Sequence, residues 1–458
     1  AAGGIGLAWL IGYALTAGEN FSVLKLAVSA LVFFGTLLAL WLLGAKRTGA
    51  LAGSILMAAL MLGDVAANSF LSLRKFELYT RSGFREFYEE GTEAVNAVRR
   101  KDADLYRIER NFFRTLNDPM LLGYWGISHF SSAKASAAKP MLEQMGFVNY
   151  NIYGWGATAA ADSLLGIRYL FANGSRQVPA PYEKLDLGTR LEIYQNPYAL
   201  PMAYVGSKEA LLVNADESAD AFQLQNQMYT SLVPGSSPVL LPAEDGTFTD
   251  GGKGISFEFT APVSGPCFMA IPDTGILLPA DVRLDGELLG EYFKDDSLGG
   301  VWPLGNLEKG QKAQLWLGFE DKPEYREKLQ VYSLDEAALA AVTETLRANA
   351  PKEPSIREGG RIDLTASAGE NTDLLVLPFA YEDETHWQTR VNGKPVEAQP
   401  VFGGMLGVPL EAGENTVQMR YRHPAAGMGA LLSAVSLATA FGWYWFERRK
   451  KPRAQSAA

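Results

Sequence analysis

Cysteine is nearly absent from this chain. Its 458 residues include one, Cys267, so no intrachain disulfide framework exists, and any exported part is held by core burial alone. Histidine is almost as scarce. His129, His386 and His423 lie far apart with no i, i+4 or x₂ partner, which leaves no metal site readable from spacing. Positive charge is in deficit: 41 Lys and Arg stand against 51 Asp and Glu, a formal charge of −10, and this argues against nucleic acid as a partner of the body of the chain. A phosphate loop is missing too. The glycine-dense stretch 246–254 has Gly252 where a lysine would be needed and leads into strand-like sequence, so it reads as a turn. No Ser-His-Asp or Cys-His order suggests a nucleophile, and nothing in the residues names a cofactor. The first residues are apolar, without an initiating Met or a basic n-region. They differ from a signal peptide, and the chain is expected to be the C-terminal part of a longer protein.

What the sequence does hold is long uncharged apolar runs at both ends. Residues 425–446 carry no charge and finish on Trp443, Tyr444, Trp445 and Phe446, followed by Arg448, Arg449, Lys450, Lys451 and Arg453. Roughly 20 apolar residues span a bilayer core as a helix. Aromatic residues favour the headgroup level, and Lys and Arg mark the cytoplasmic side. At the other end, 3–18, 21–44 and 48–73 are three more apolar segments, with Lys46 and Arg47 in the connection between the last two. That connection is expected inside, so the third segment exits outward. Both charge signals place 74–424 outside and the C-terminus in the cytoplasm, giving a multi-pass cell-membrane protein with a large extracytoplasmic part. Asp64 interrupts the third segment, with Asn68 four residues on and on the same helix face. An ionisable residue in a span is costly. The pair either lines a substrate path or reaches water near the outer interface.

The expected fold class is a multidomain membrane protein: N-terminal transmembrane helices, an extracytoplasmic α/β module, two tandem β-sandwich modules and one C-terminal transmembrane helix. The α/β module is expected over 74–206. Its helix at 93–100 places Ala94, Val95, Ala97 and Val98 on one side, strands are expected at 104–112 and 124–132, and a short helix ends at Gly146. The β-sandwiches, 207–332 and 355–424, are expected from an internal repeat. Val282-Arg-Leu-Asp-Gly-Glu has the shape of Thr389-Arg-Val-Asn-Gly-Lys, and Asp-Gly or Asn-Gly between alternating apolar residues marks a type I′ hairpin. Ile255-Ser-Phe-Glu-Phe matches Ile362-Asp-Leu-Thr-Ala upstream, and the strands at 313–319 and 416–421 match downstream. Between the two lies 333–354, with Ser333-Leu-Asp-Glu as a capping box opening a helix, then a linker marked by Pro351 and Pro354. Residues 447–458 form a basic tail. The acidic runs Asp295-Asp296 and Glu382-Asp383-Glu384 read as solvated loops, and Trp387 reads as core or as a platform for stacking a sugar.

Several separated stretches carry a resemblance. They are Asp104-Leu-Tyr-Arg-Ile; Gly123-Tyr-Trp-Gly-Ile-Ser-His-Phe-Ser-Ser; Asp162-Ser-Leu-Leu-Gly-Ile-Arg-Tyr; Tyr194-Gln-Asn-Pro-Tyr-Ala-Leu-Pro; Trp387 ahead of Val391-Asn-Gly-Lys; and Gly413 ahead of Tyr421 and Pro424. In order and spacing, from about Asp64 onward, they resemble the C-terminal half of the bacterial membrane protein YfhO family. That resemblance implies a polytopic protein akin to GT-C glycosyltransferases, which use a polyprenyl-phosphate sugar on the outer face of the membrane. The implied partners are the lipid bilayer, the polyprenyl-phosphate sugar and an envelope glycopolymer such as teichoic acid. GT-C catalytic acids lie in the first exterior loop, a region expected upstream of this chain, so no catalytic residue carries over. Asp64 and Asn68 look like the family's acidic position and asparagine in the span before the exterior domain, and are the substrate-path candidates. His129 and Trp387 are the carbohydrate-contact candidates. Two rivals stay open: a non-catalytic carbohydrate-binding or scaffold protein of the envelope, and a lipid-linked sugar flippase or transport partner.

Overall fold

The computed structural model describes residues 23–73, 80–112, 114–115, 117–128, 138–147, 158–174, 178, 181–214, 220–271, 280–292, 300–318, 323–357, 359–383 and 386–450. Two compact units emerge, 1–86 and 87–458.

The first unit contains helices α1 (Val23–Gly44) and α2 (Ala50–Leu73). Leu26–Gly44 and Ala50–Leu71 are long and apolar enough to cross a membrane, since about 20 residues at 1.5 Å each cover a hydrocarbon core of about 30 Å. The helices meet through small residues. A Cβ on Gly53 would come within 2.1 Å of Leu43 Cδ2, and one on Gly35 within 3.0 Å of Leu60 Cδ2, the close approach typical of helices packed in lipid. Lys46 takes a left-handed φ of 54°, and the Arg47 amide donates to Leu42 O at 3.0 Å, closing α1. Large apolar side chains such as Leu31, Phe34 and Trp41 point outward. The apolar segment 3–18 lies outside the described residues.

The second unit starts with a small mixed layer. Its elements are α3 (Arg81–Lys101, which belongs to this unit from Phe87 onward), β1 (Arg107–Arg110), α4 (Asp118–Leu122), α5 (Ala138–Gln144), α6 (Ala159–Leu164), β2 (Ile167–Ala172), β3 (Glu183–Leu185) and β4 (Glu192–Gln195). The strands form one sheet in the order β1-β2-β4-β3, with β1 parallel to β2 and the rest antiparallel. Ala94, Val95, Ala97 and Val98 of α3 are buried with Ile108, Tyr169, Phe171 and Ile193 of the sheet. The stretch expected as a strand at 124–132 forms none among its described residues. Ile108 instead donates its amide to Trp125 O at 2.8 Å, and the buried Glu109 carboxylate takes the amide of Ser128 at 3.1 Å and that of Ile127. A side chain satisfies what a ladder would otherwise have paired.

The remainder is β-rich. In chain order it comprises β5 (Tyr204–Gly206), α7 (Ala221–Leu232), β6 (Leu240–Pro242), β7 (Glu244–Gly251), β8 (Gly254–Thr260), β9 (Gly265–Ala270), β10 (Ala280–Leu284), β11 (Glu287–Tyr292), β12 (Trp302–Leu307), β13 (Lys312–Leu317), α8 (Pro323–Lys328), β14 (Gln330–Leu334) and α9 (Glu336–Ala348). Then come β15 (Lys352–Arg357), β16 (Arg361–Ala368), β17 (Leu374–Ala380), β18 (Trp387–Val391), β19 (Lys394–Val396), β20 (Gln399–Val401), β21 (Met405–Pro409), β22 (Gly413–Tyr421) and α10 (Pro424–Lys450).

Two sheets, β11-β10-β13-β8-β7 and β19-β18-β22-β16-β15, have the same strand order. Each repeated stretch of sequence falls on the equivalent strand. Both hairpin turns have the backbone that their residues dictate: Asp285 and Gly286 have φ of 50° and 84°, Asn392 and Gly393 of 53° and 77°, the left-handed pair a two-residue turn needs. The other two sheets are β12-β9-β14-β6 and β20-β21-β17-β5. Cys267 and Met269 of β9 face a core shared with Ile255, Val282 and Leu315. On the opposite side, Phe268 and Ala270 join a core with α7 and α9. Strand β17 does the same, with Leu375 and Leu377 in one core and Leu374 and Val376 in the other. Burial on both faces explains an unbroken apolar run where a half-exposed strand would alternate.

Particular elements differ from expectation. β5, read as the end of the α/β part, pairs antiparallel with β17 about 170 residues later, Tyr204 opposite Val376. Residues 221–232, inside a stretch read as sandwich, form α7, capped by Asp220 accepting from the amides of Phe222 and Gln223. Ser333 is not the cap of α9, because it pairs within β14 opposite Cys267; Asp335 caps instead, accepting from Ala338 N. The expected linker at 351–354 runs into edge strand β15.

Candidate functional site: an aromatic and carboxylate pocket on the first sheet

Where α3 ends and β1 begins, a depression of about 290 Å³ is lined by Arg99, Asp102, Asp104, Tyr106, Tyr124 and Trp125. Its polar wall is a braced cluster. Asp102 accepts from Arg168 Nη1 at 2.8 Å, from the Tyr169 hydroxyl at 2.8 Å and, through its other oxygen, from the Asp104 amide at 2.9 Å. Arg168 also reaches Asp104 at 3.0 Å, and the Asp104 side chain remains 74% exposed. Burial raises the Asp102 carboxyl, yet the hydrogen bonds from Arg168, the Asp104 amide and Tyr169 outweigh it and hold the group below the usual carboxylate range. It therefore stays an anion and an acceptor. Burial, with Asp102 nearby, pushes the Tyr106 phenol up to about 12, so it stays a donor.

The aromatic wall is positioned from the opposite side. Gly123 closes α4 in the left-handed region, with φ of 73°, and its carbonyl accepts from the Arg99 guanidinium. Tyr124 is buried, accepts from Arg110 Nη1 at 2.8 Å and lies edge-on to Phe171 at 6.1 Å. Arg110 in turn forms an ion pair with Asp118 at 3.2 Å, both side chains at most 3% exposed. Trp125 is 41% exposed, its edge resting on Phe379 of β17 at 6.1 Å. Arg107 also reaches that strand, donating to Pro378 O. An exposed indole, the largely solvent-facing Asp104 carboxylate that Arg168 pairs, and the Arg99 guanidinium surround one small hollow, so an apolar aromatic face stands beside charged hydrogen-bonding groups.

None of the pocket residues Arg99, Asp102, Tyr106, Tyr124 and Trp125 was singled out as a site from the sequence. The Asp104, Gly123 and Asp162 stretches hold several of them or their partners, but only β1, pairing with β2 and touching 125, brings the three together.

The sequence candidates lie elsewhere. Asp64 is half-buried and Asn68 exposed on α2, with no hydrogen bond from either among the described residues. Asp64 stands seven residues before Leu71, the last residue of the apolar stretch, or about 10 Å along the axis. His129 lies outside the described residues; Ser128, just before it, donates its hydroxyl to Glu109. Trp387 is 9% exposed, packed in the core with Val391 and Met419 and edge-on to Tyr421 at 5.3 Å, so its faces are covered by protein.

The neighbouring His386, read as remote from other histidines, is brought to 5.5 Å from His423. Its Nε2 lies 2.9 Å from Glu382 and its Nδ1 2.8 Å from Asp383, so two residues of the acidic run are partnered. The Tyr421 hydroxyl donates to Glu382 at 3.1 Å. Among the described residues no group of His, Cys, Asp and Glu is arranged to hold a metal ion.

Comparison with solved structures finds similarity to a GH2 beta-galacturonidase from Eisenbergiella tayi bound to galacturonate. The identity is 13% and the TM-score 0.13, over 38% of this chain and 30% of that one. The chain thus spans less than a third of that enzyme. A search of the curated proteins returns no match. The family model described as bacterial membrane protein YfhO matches residues 3–433. Over that length the match is decisive, and the chain belongs to the YfhO family of bacterial membrane proteins.

Proposed function

We propose that this chain belongs to a GT-C-like envelope glycosyltransferase, which transfers sugar from a polyprenyl-phosphate donor to a cell-envelope polymer on the outer face of the membrane, and that it supplies a sugar-handling exterior body anchored by its own helices. The observation that carries the reading is the pocket of Trp125, Tyr106, Asp104 and Arg99, whose chemistry suits one sugar unit of an acceptor or donor. Three helices long and apolar enough to cross a membrane support a bilayer location. The basic connection at Lys46–Arg47 and the basic residues after Trp445 support an exterior body and a cytoplasmic C-terminus. We read the paired sheets around the two repeats as tandem β-sandwiches that display the pocket above the bilayer. Asp64 and Asn68 serve as lining of the substrate path. No residue of this chain is assigned to bond breaking.

The test is expression of the full-length gene in cells lacking it, with transfer from a labelled polyprenyl-linked sugar followed into envelope fractions. Transfer is expected, reduced at least tenfold by Trp125→Ala or Asp104→Asn at unchanged protein level. No transfer into any fraction refutes the reading. Glycan binding that persists without transfer instead supports a membrane-anchored carbohydrate-binding protein.

A further inference from the structure

One row across the β19-β18-β22-β16-β15 sheet violates ordinary pairing. Arg357 of β15 lies opposite Arg361 of β16, Arg361 opposite Arg420 of β22, and Arg420 opposite Gln388 of β18. All four side chains are on the exposed face. Cβ atoms of directly opposed residues lie only about 5 Å apart, and like charges there are destabilising. The next row adds Arg390 opposite Gln418, itself opposite Asp363. Compensation within the protein is thin. Arg361 has Asp363 at 2.9 Å, Arg357 has a serine hydroxyl at 3.1 Å, and Arg420 has no partner among the described residues. A depression of about 480 Å³ opens over Arg361, Arg390 and Arg420.

The charge is placed, not scattered. Along β22 the outward residues run Glu414, Thr416, Gln418, Arg420, from acidic to basic as the strand approaches α10. Only Arg422 and His423 separate β22 from Pro424. Four residues span at most about 14 Å, so Arg420 is no farther than that from the start of the helix. The membrane-crossing stretch Ala425–Arg448 has 24 residues, or about 36 Å, against a core of about 30 Å; its first turn therefore belongs to the headgroup layer. In a chain of charge −10, the positive row comes, at Arg420, within four residues of the membrane-crossing helix, and the acidic Glu382 and Asp383 at that end are engaged by Tyr421 and His386.

We propose that the Arg357–Arg361–Arg420 row docks onto the phosphate-bearing headgroups of the anionic bilayer that α10 enters, setting how the exterior body sits above the membrane. The phosphates supply the counter-charge that the sheet lacks. This is independent of the glycosyl-transfer reading.

The test uses the full chain carrying Gln388→Cys with a fluorophore; Cys267 is buried and stays unlabelled. The chain is reconstituted into nanodiscs bearing headgroup quenchers, made of phosphatidylcholine alone or with phosphatidylglycerol. Quenching is expected to be stronger with phosphatidylglycerol and to fall at raised salt. Each basic residue near an anionic leaflet favours the docked state roughly fivefold, so R357Q/R361Q/R420Q lowers the docked-to-free ratio on the order of 100-fold. Equal quenching in the two lipids overturns the proposal, as does a lipid dependence that survives in the triple variant. The salt response of the unsubstituted row decides the matter if that variant misfolds. Phosphatidylglycerol-dependent quenching that persists when soluble polyphosphate is added at a phosphate concentration equal to that of the lipid supports docking, whereas its loss assigns the row to a soluble polyanion and overturns it.

Discussion

Asp118→Ala tests how the pocket wall is held. The Asp118 carboxylate is fully buried, 3.2 Å from an Arg110 guanidinium that is 3% exposed. It also accepts from the amides of Arg114 at 3.0 Å and Thr115 at 2.8 Å. After its removal Arg110 retains, among the described residues, only the Tyr124 hydroxyl and Thr115 O as acceptors, and its Nε has no partner among them. Removing one member of a buried ion pair costs about 3–5 kcal/mol, because the other charge is left in a low dielectric. At about 1.4 kcal/mol per decade, amide exchange in β1 and at Thr115 should quicken by roughly two to three and a half decades. The double variant Arg110→Met/Asp118→Leu, which removes both charges and restores apolar volume, should regain most of that loss, because the desolvation cost disappears with the pair. Hydrogen exchange by mass spectrometry on the detergent-solubilised chain reads both. The reasoning is refuted if Asp118→Ala leaves protection unchanged, or if the double variant is as labile as the single.

Other outcomes follow from the same geometry. Trp125→Ala should weaken glycan binding at least tenfold by glycan-array titration while leaving unfolding nearly unchanged, since Trp125 is 41% exposed. Burial pushes the Asp162 carboxyl up to about 7 despite the hydrogen bond from Tyr182; as its folded value exceeds the unfolded one near 4, stability falls as pH rises between them and is flat above. Asp162→Asn should remove that fall and stabilise the protein by about 2–4 kcal/mol above neutral pH, the lower figure reflecting its partial exposure, measurable as local exchange across a pH series. For Asp102, whose folded value is lowered, the sign reverses: protection of the Asp102–Arg168 corner holds above the ordinary carboxylate range and is lost as pH falls below it, and Asp102→Asn should abolish that dependence. Gly286→Ala and Gly393→Ala, at φ of 84° and 77°, should each cost about 1 kcal/mol, comparable in the two hairpins by thermal unfolding.

Much of this architecture was written locally. Apolar runs longer than a bilayer core have no other stable environment, so 21–44, 48–73 and 425–446 announced α1, α2 and α10. Asp-Gly and Asn-Gly determined two turns because few residues tolerate positive φ twice, and the repeat around them foretold two sheets of identical strand order. Local sequence was silent on partnership across distance. The return of β5 to β17, the capping of α9 by Asp335 in place of Ser333, and the doubly buried faces of β9 and β17 depend on which surfaces meet. The pocket is the clearest case. Arg99, Asp104, Tyr124 and Arg168 are ordinary residues in separate stretches, and only the pairing of β1 with β2 gives them common chemistry. Likewise, arginines at 357, 361 and 420 look solvated one at a time. Strand register made them a row, because side chains opposed across a sheet feel one another's charge whatever their separation along the chain.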